Sequence, residues 1–466
     1  MRLKIRRQDL VFILLKIVYV FSFIFGAVFR SENNCQIETL FPWIIVLLGL
    51  QCAEFYSKRL PIYDIGLCYI IISYAFMFGF VFMDKFNMKT MLVWSPRSFF
   101  TEKELYDACC FAILSLALIS SGYLLGCNSK NYLLHKRIGQ EPVDESMYTL
   151  GILLIGIGGI AHIINDGRVV MTLQAANSYS AFSETASVGL LDDLAYLLLP
   201  GYFFALYSGK MKKHSKVILT GGILAYLFVL MTLTGSRKTQ LFSIMSVLLA
   251  FAVDNRSKKN KLIKTIAIAA MGYVLITALI VIRESRFNLK DVVPTLIESV
   301  TSFNMIKILG AEIFAETGIT LLSVAQIMKN VPSIFPYEWG ATFVRAIPSI
   351  FPIGWLVGDF FNKGSSTFVI NQYTGIPVGS SLIGDLYWNW GMIGGIVVSF
   401  LIGLLFAMAT RVLLKKNLRA NYALYFSLFS QMIMLVRAEM IDIIRPIAIF
   451  LAIALVVYKF KFRIKI

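Results

Sequence analysis

Charged residues are scarce in this sequence, and the short motifs of several common enzyme classes are missing. Only 15% of its 466 residues are Asp, Glu, Lys or Arg, whereas soluble domains are typically about a quarter charged. We find no P-loop, no HExxH, no GxSxG and no DxD pair that would hold a nucleotide-sugar metal. The sequence therefore lacks the signatures of P-loop nucleotide hydrolases, zinc proteases, serine hydrolases and metal-dependent nucleotide-sugar transferases.

Cysteine is present but carries no metal or disulfide pattern. The six cysteines show neither CxxC spacing nor Cys/His metal spacing, and most fall in apolar runs where cysteine packs as a small hydrophobe. They are Cys35, Cys52, Cys68, Cys109, Cys110 and Cys127. We expect no metal, no cofactor and no structural disulfide.

Apolar residues dominate the chain and define its class. They make up 58% of it, the mean hydropathy is +0.73, and many runs approach the roughly 20 residues that cross a bilayer. The pattern predicts an all-α polytopic membrane protein that forms a single domain over residues 1–466, without internal repeats. About 12 transmembrane helices are expected, at 10–29, 40–56, 62–83, 106–126, 147–164, 190–208, 217–234, 239–253, 263–282, 386–410, 421–436 and 446–459. No signal-peptidase pattern follows the first run, which indicates an uncleaved first helix.

Basic residues indicate how the helices are oriented. Short segments on one side of the predicted bundle hold 26 of the 44 Lys and Arg residues, as the positive-inside rule requires of cytoplasmic loops. Both termini are therefore predicted to be cytoplasmic. The same rule explains the net charge of +17, so nucleic acid is not an expected partner.

One long segment, approximately 283–385, is predicted to form a large extracytoplasmic loop. Its two apolar pieces within 311–358 contain Glu316 and Arg345. Another span here would also move the basic cluster Arg411–Arg419 to the outer side. We therefore predict short interfacial or re-entrant helices in this loop, as protein cover or a wet cavity would permit.

Several arginines lie on the predicted outer side, where the positive-inside rule does not explain them. Arginine keeps its charge and binds phosphate in bidentate fashion, so a cluster near the membrane surface suits a pyrophosphate. The alternative is that each arginine reaches a lipid phosphate or pairs with a nearby acid. The outer set is Arg168, Arg237, Arg283, Arg286, Arg345, Arg437 and Arg445.

Two short strings add candidate binding residues. In TGSRK, residues 234–238, Arg237 and Lys238 lie near the start of a helix, where backbone N–H groups favour an anion. An ordinary helical hairpin also needs such a turn. In 379–395, Asp385, Tyr387, Trp388 and Asn389 precede an apolar helix. They suit a carbohydrate platform, or else the aromatic belt of the membrane interface.

The segment 435–446 concentrates charge between two apolar helices. Arg437, Glu439, Asp442 and Arg445 lie there, although a helical hairpin requires no such density. The other interpretation is a self-neutralising loop of surface ion pairs, each worth little. Glu316 and Glu439 are the candidate general bases. A structural partner for Arg345 is an equal possibility for Glu316.

Together these features resemble the Wzy type of oligosaccharide repeat-unit polymerase. The resemblance rests on the architecture of the whole chain and on short strings, with Asp385 at a position where the family pattern often has glutamate. The strings are NSYS at 177–180, TGSRK, the long loop with glutamate followed by arginine, SSLIGDLYWNWG at 380–391, and the R-x-E turn of Arg437 and Glu439.

The resemblance implies a function and a location. Such polymerases transfer a growing glycan from undecaprenyl pyrophosphate to another lipid-linked repeat unit, at the outer face of the bacterial cytoplasmic (inner) membrane. It implies a metal-independent glycosyltransferase without cofactors that makes O-antigen, capsule or exopolysaccharide. Its partners would be the undecaprenyl-pyrophosphate-linked glycan, membrane lipids, a flippase and a chain-length regulator.

Three alternatives remain open from the sequence. An O-antigen ligase-like glycosyltransferase would transfer finished glycan to a different acceptor. A lipid-linked glycan flippase or other transporter would need ionisable groups at the membrane midplane, where Lys16 is the main example. A non-catalytic scaffold would tolerate loss of the outer arginines.

Overall fold

The protein folds as a set of helices joined by turns, in a computed structural model that describes most of the chain. The described residues are 7–28, 35–90, 95–127, 143–176, 189–234, 238–254, 294, 297–298, 303–351, 353, 358, 360–376, 378–414 and 419–461. No strand occurs among them. The principal helices are α1 (Arg7–Phe23), α2 (Phe41–Ser57), α3 (Ile65–Lys85), α4 (Glu102–Gly126), α5 (Glu145–Ala176), α6 (Leu190–Ala195), α7 (Leu198–Tyr207), α8 (Lys213–Thr234), α9 (Lys238–Asp254), α10 (Phe303–Asn330), α11 (Ala341–Ala346), α12 (Leu382–Leu414), α13 (Arg419–Met434) and α14 (Met440–Lys461).

Nine described helices are long and apolar enough to cross a membrane, which agrees with an all-α polytopic membrane protein. They are Asp9–Val28, Ile37–Ser57, Ile65–Lys85, Glu102–Gly126, Glu145–Leu173, Leu190–Tyr207, Lys213–Thr234, Gly310–Asn330 and Leu382–Leu414. The predicted spans at 239–253 and 421–436 form helices of only 17 and 16 residues. The predicted span at 263–282 lies outside the described residues, so the number twelve stays a prediction.

Two glycines let α4 and α12 pack closely against each other. Gly122 of α4 faces the backbone of α12, because a Cβ there would lie 2.0 Å from the carbonyl oxygen of Phe400. Gly403 of α12 faces α4 in the same way, 2.0 Å from the carbonyl oxygen of Ile119. Any larger side chain would force the helices apart, so this crossing depends on glycine as membrane helix pairs often do.

Helix α10 corrects one prediction. The sequence analysis expected only short interfacial helices in the long loop, but residues 303–330 form one helix of 28 residues. Glu312, near one end, accepts a hydrogen bond of 2.8 Å from Thr90, and Lys329, near the other, lies 3.1 Å from Glu104. Both partners flank the segment that joins α3 to α4. Helix α10 also packs along α3, where Thr317 donates to the carbonyl of Ala75 at 2.9 Å.

A break at Gly391 shapes the end of the bundle that carries this loop. Gly391 has φ 64°, which interrupts α12 and leaves carbonyl groups without helical partners. The carbonyl of Trp388 instead accepts from the N–H of Glu338 at 3.1 Å, and that of Asn389 from Trp339 at 2.9 Å. The break thus attaches the segment before α11 to the start of α12.

The opposite end of the bundle gathers the helix termini that the sequence analysis assigns to the cytoplasm. Its contacts tie successive helices together at their basic ends. They are Lys58 with Asp9 at 3.5 Å, Lys210 with Glu145 at 3.1 Å, Lys216 with Asp254 at 2.6 Å, and Arg419 with the carbonyl of Tyr207 at 3.1 Å. We call the other end, with α10 and α11, the loop end.

One charged pair lies deep among the first helices. Lys16 of α1 lies 2.5 Å from Glu54 of α2, and both side chains are about 95% buried, with exposed fractions of 5% and 4%. Lys16 also donates to Ser120 at 3.0 Å, and Gln51 donates to the same hydroxyl at 2.9 Å. Tyr74 in turn donates to Gln51 at 2.6 Å. This network holds the otherwise outward-facing α1 against the bundle.

Candidate functional site

The candidate site is centred on the turn between α13 and α14, which lies within the charge-rich segment 435–446. Helix α13 ends at Met434, a short 3₁₀ turn ends at Arg437, and Ala438 is extended with φ −147° and ψ 157°. The N–H of Glu439 then donates to Asp442 at 3.2 Å, which caps the start of α14. The turn therefore presents a cation and two carboxylates at the loop end.

Arg437 is the least committed charge of this turn. Its Nη1 lies 3.8 Å from Oε1 of Glu316 on α10, with exposed side-chain fractions of 24% and 21%. That distance is too long for a hydrogen bond. No hydrogen bond in the described part of the chain uses the guanidinium, and Gly379 lies beside its Nε without covering it. Arg437 therefore keeps its fork of donors available for an anion.

Glu439 differs from Arg437 because it is almost fully enclosed. Its exposed fraction is 2%, and Oε1 accepts hydrogen bonds from the N–H of Ser366 at 2.7 Å and from the Ser366 hydroxyl. Burial raises the pKa of Glu439 to about 7, the Asp442 carboxylate adds to the rise, and the hydrogen bonds from Ser366 and Ser365 oppose it. A carboxyl group with a pKa near neutrality is suited to proton transfer.

Two other predicted cations at this turn are paired with acids. Lys238, at the start of α9, lies 2.8 Å from Asp442. Arg445 lies 2.5 Å from Asp193 of α6 and donates to the carbonyl of Gly189 at 3.2 Å. These contacts join α6, α9 and α14 at the loop end. Lys238 and Arg445 therefore add positive charge to the region, and their ion pairs with Asp442 and Asp193 also connect the helices there.

Arg345 joins three parts of the long loop. Its Nη1 lies 2.6 Å from Glu338 and also donates to the carbonyl of Lys363 at 3.0 Å. Gly364 follows directly, and a Cβ there would lie 3.0 Å from the Cβ of Arg345. Arg345 thereby fixes the segment that carries Ser366 over Glu439. It does not contact Arg437 in the described structure.

The predicted carbohydrate platform lies inside the protein. Asn389 accepts from the N–H of Gly340 at 2.8 Å and donates to Thr342 at 2.7 Å and Asp385 at 2.9 Å. Thr342 also donates to Asp385 at 2.7 Å. Trp388 is buried as well. These side chains position α11 against α12.

Tyr387 is less enclosed than its neighbours but is still surrounded by rings. Its ring centroid lies 5.3 Å from that of Phe111 and 6.3 Å from that of Tyr337, both edge-on. The rings of Tyr387 and Trp388 are therefore largely covered in the described structure. The role of these residues as a direct platform stays a prediction.

Three of the predicted binding residues, Arg237, Arg283 and Arg286, lie outside the described residues. Of the remaining ones, the structure brings Arg437 to within 3.8 Å of Glu316. In the same turn, Asp442 contacts both Lys238 and the backbone of Glu439. The sequence analysis missed Ser366, Glu338 and Asp193, which hold site residues in place. Only the KGSS string, 363–366, offered a signal, because glycine and serine in a loop can donate backbone and hydroxyl hydrogen bonds to an anionic group.

The described part of the chain contains no group of three His, Cys, Asp or Glu side chains close enough together to hold a metal ion. The turn offers a guanidinium with open donors two residues away from a buried carboxyl group. Such a pair can hold a phosphate group and accept a proton from a hydroxyl.

Comparison with known proteins identifies the family. The family model of O-antigen polysaccharide polymerase Wzy matches residues 10–464, which is nearly the whole chain. No curated protein and no solved structure matches it. The match runs from α1 to α14 and includes the charged turn, so the resemblance to the Wzy family is confirmed. The chain therefore belongs to the Wzy family of O-antigen polysaccharide polymerases.

Proposed function

We propose that this protein joins undecaprenyl-pyrophosphate-linked oligosaccharide repeat units into a polysaccharide at the outer face of the inner membrane. Membership of the Wzy family supports repeat-unit polymerisation in general. The lipid carrier, the membrane face and the residues involved are our proposal. The observation that carries it is Arg437, whose guanidinium has open donors and lies two residues from the buried Glu439.

In the proposed reaction, Arg437 binds the pyrophosphate of the donor. As the bond between the anomeric carbon and the pyrophosphate oxygen breaks, the electron pair stays on that oxygen and its negative charge grows. A guanidinium fixed beside it stabilises this charge more than it stabilises the ground state. Glu316 keeps Arg437 oriented until the phosphate displaces it. Arginine thus supplies the positive charge that a metal supplies in other transferases.

The remaining outer cations form a second group. Lys238, Arg345 and Arg445 are each paired with a carboxylate, so they add positive potential and hold the walls of the site. Direct contact of any of them with pyrophosphate would require an exchange of partners. Arg237 is next to Lys238 in the chain, and we propose that it binds phosphate together with Arg283 and Arg286.

Glu439 is the general base of the proposal. The hydroxyl oxygen of the acceptor sugar forms a bond to the anomeric carbon, and its proton passes to Glu439 while lipid pyrophosphate leaves. We prefer Glu439 to Glu316 because a pKa of about 7 matches neutral conditions.

The platform residues have a supporting role in this proposal. Asp385 and Asn389 hold α11 in place through Thr342, and Tyr387 and Trp388 fill the space behind that contact. They set the shape of the wall that the sugars meet. A flippase that supplies the substrate and a chain-length regulator are the proposed partners, and the product is O-antigen or a related capsule or exopolysaccharide.

The test is complementation of a deletion strain with single arginine variants. We expect Arg437→Ala, Arg345→Ala and Arg237→Ala to reduce surface polymer while the amount of protein in the membrane stays normal. Arg168→Ala is the matched control, because Arg168 is an exposed arginine on α5 for which the described structure shows no ion pair. Normal long polymer in all three variants would contradict the arginine proposal.

Glycan analysis of the deletion strain separates the related functions. A polymerase defect leaves single repeat units on the lipid and on the cell surface. A ligase defect leaves long polymer that is not attached to its final acceptor, and a flippase defect leaves the lipid-linked unit on the cytoplasmic side. Either of the last two patterns would overturn the assignment of polymerisation.

A further inference from the structure

A cavity lies at the loop end, and none of the residues of the charged turn lines it. It has a volume of about 560 Å³, and a neighbouring lobe of about 270 Å³ shares part of its wall. The shared wall is formed by Met83, Asp84, Met88 and Arg97. The larger volume is within the range of roughly 300–1,000 Å³ that is usual for small-molecule sites. None of the residues assigned above to binding or proton transfer lines it.

The walls of this cavity are held by ion pairs. Arg97 lies 2.7 Å from Asp84, at the end of α3, and also contacts Glu102, at the start of α4. Thr101 and Glu104 form a reciprocal capping box at the same helix start. The cavity is therefore preorganised by contacts between two helix ends, which lowers the cost of ordering it around a ligand.

The charge of the lining argues against pyrophosphate as the ligand. Among the described residues, three carboxylates and two cations line the larger cavity, so their negative charge exceeds their positive charge by one. They are Glu38, Asp84 and Glu102 with Lys89 and Arg97. Arg97 is also committed to two of those carboxylates. A phosphate group would be repelled here, whereas a neutral ligand would not.

Side-chain amides supply the specificity of the lining. Gln36 and Asn87 both face the cavity, and the described residues provide no hydrogen-bond partner for either side-chain amide. An amide offers both a donor and an acceptor, as a sugar hydroxyl group requires. Carboxylates beside them accept further hydroxyl hydrogen bonds, and Met83 and Met88 provide apolar surface for the ring carbons. The combination suits an uncharged saccharide.

A chain of contacts connects this cavity with the charged turn. Thr90 lines the smaller lobe and donates to Glu312 of α10 at 2.8 Å. Glu316 follows one helical turn later on the same face and lies 3.8 Å from Arg437. The lobe and the arginine are therefore on neighbouring parts of one helix surface. A molecule with a pyrophosphate at Arg437 could extend its sugars in this direction.

We infer that this cavity is a saccharide subsite that binds sugar rings of the lipid-linked glycan away from the bond that reacts. The inference rests on the proposed function, because it assigns to that reaction a second contact with its substrate. The subsite holds the glycan through hydroxyl groups, and the arginine turn holds the pyrophosphate. Retention of the glycan after each transfer would favour longer products.

The experiment uses the full chain in lipid nanodiscs and the double variant Gln36→Ala/Asn87→Gly. Glycine accepts the φ of 48° at residue 87, so this change removes the amide without straining the turn. The probe is the oligosaccharide of one or two repeat units released by mild acid from the producing strain's own surface polysaccharide. Loss of two amide contacts should weaken its binding about tenfold or more.

Two control variants test whether the loss of binding is specific to the cavity. Gln372→Ala removes an exposed amide elsewhere in the long loop and should bind the probe like the unchanged protein. Arg437→Ala should also bind it normally, and inorganic pyrophosphate should not compete. Size-exclusion profiles show whether each variant is folded. Should the double variant fail to fold, Gln36→Ala alone is measured, with a smaller loss expected.

The outcomes for the cavity and for the proposed function are distinguishable. If the unchanged protein polymerises lipid-linked units but the double variant binds the probe with unchanged affinity, the cavity is only a surface hollow and the inference is wrong. If binding falls in the double variant but the unchanged protein does not polymerise, the proposed reaction fails while the saccharide site stands. We expect reduced binding together with a shift to shorter polymer.

Discussion

Two charged regions of this protein differ in how completely their charges are used. Lys16 and Glu54 lie 2.5 Å apart with about 5% of each side chain exposed, and Lys16 has a further hydrogen bond to Ser120. Arg437 and Glu316 lie 3.8 Å apart with more than a fifth of each side chain exposed. The first pair is a closed structural contact, and the second is a loose contact that a ligand can enter.

The difference shows that an ionisable residue in a membrane protein is not by itself a sign of a substrate site. A buried pair among α1, α2 and α4 fixes helix packing, because an unpaired charge there would be costly. A cation with open donors next to a carboxyl group of neutral pKa has the capacity for chemistry. The expected effects below are measured as polymer made per folded molecule.

The largest effect is expected for Arg437. Arg437→Ala should lower the polymerisation rate about 10²–10³-fold, which is typical for loss of one donor that stabilises developing negative charge. Arg437→Lys should recover part of the rate, because lysine keeps the charge but lacks the planar fork. Rates are measured with purified protein and lipid-linked repeat units. A rate for Arg437→Ala equal to that of Arg168→Ala would remove Arg437 from the mechanism.

The next effect concerns Glu439. Glu439→Gln should lower the rate about 10²-fold, within the usual range for a general base, and should leave it nearly independent of pH around neutrality. Glu316→Gln is the comparison, with a smaller loss expected because Glu316 only orients Arg437. The measurement is the pH profile of the purified variants. A larger loss in Glu316→Gln, with the pH dependence kept in Glu439→Gln, would transfer the base role to Glu316.

A smaller effect, on pH dependence, is expected for Asp442→Asn. The unchanged protein should gain activity as pH rises through about 7, since Glu439 accepts a proton only when it is ionised. Asp442 raises that pKa, so its neutralisation should lower the pKa and move the acid limb to lower pH. The position of the limb is read from polymerisation rates measured between about pH 5 and pH 8. An unmoved limb would show that another group controls it.

The smallest effect per folded molecule is expected for the buried pair. Lys16→Met should leave the polymerisation rate of each folded molecule unchanged but destabilise the protein by about 3–5 kcal/mol, because Glu54 loses its partner. The double variant Lys16→Met/Glu54→Gln should recover most of this stability. Thermal unfolding in detergent, followed by fluorescence, measures both. A fall in rate per folded molecule would mean that the pair takes part in function.

Sequence reasoning predicted the helical class and the charged turn, because both have strong local signals. Long apolar runs identify the membrane helices. The four charged residues in Arg437–Arg445 are conspicuous because a short connection between two apolar helices rarely contains so many charges. Reasoning from the sequence did not predict the length of α10, whose charges suggested a surface segment. Its contacts with Thr90 and Glu104 satisfy such charges within the protein.

Residues that hold the site were harder to predict than residues that form it. Ser366 lies 73 positions before Glu439, and Asp193 lies 252 positions before Arg445. Neither has a distinctive neighbourhood in the sequence, since pairing across such separations depends on the tertiary fold. Trp388 and Asn389 were predicted to meet sugars because their residue types suit that role. The sequence did not show that the break at Gly391 turns their carbonyls toward the segment before α11 or that both side chains are buried.

The contact between Ser366 and Glu439 has a consequence for the order of events in the proposed reaction. The serine closes the carboxyl group to solvent, and Arg345 holds the same segment through the carbonyl of Lys363. A donor phosphate that attracts Arg345 would loosen this segment and uncover the carboxyl group. In the resting enzyme the carboxyl group therefore stays covered, and it becomes available to an acceptor hydroxyl only after the donor has bound.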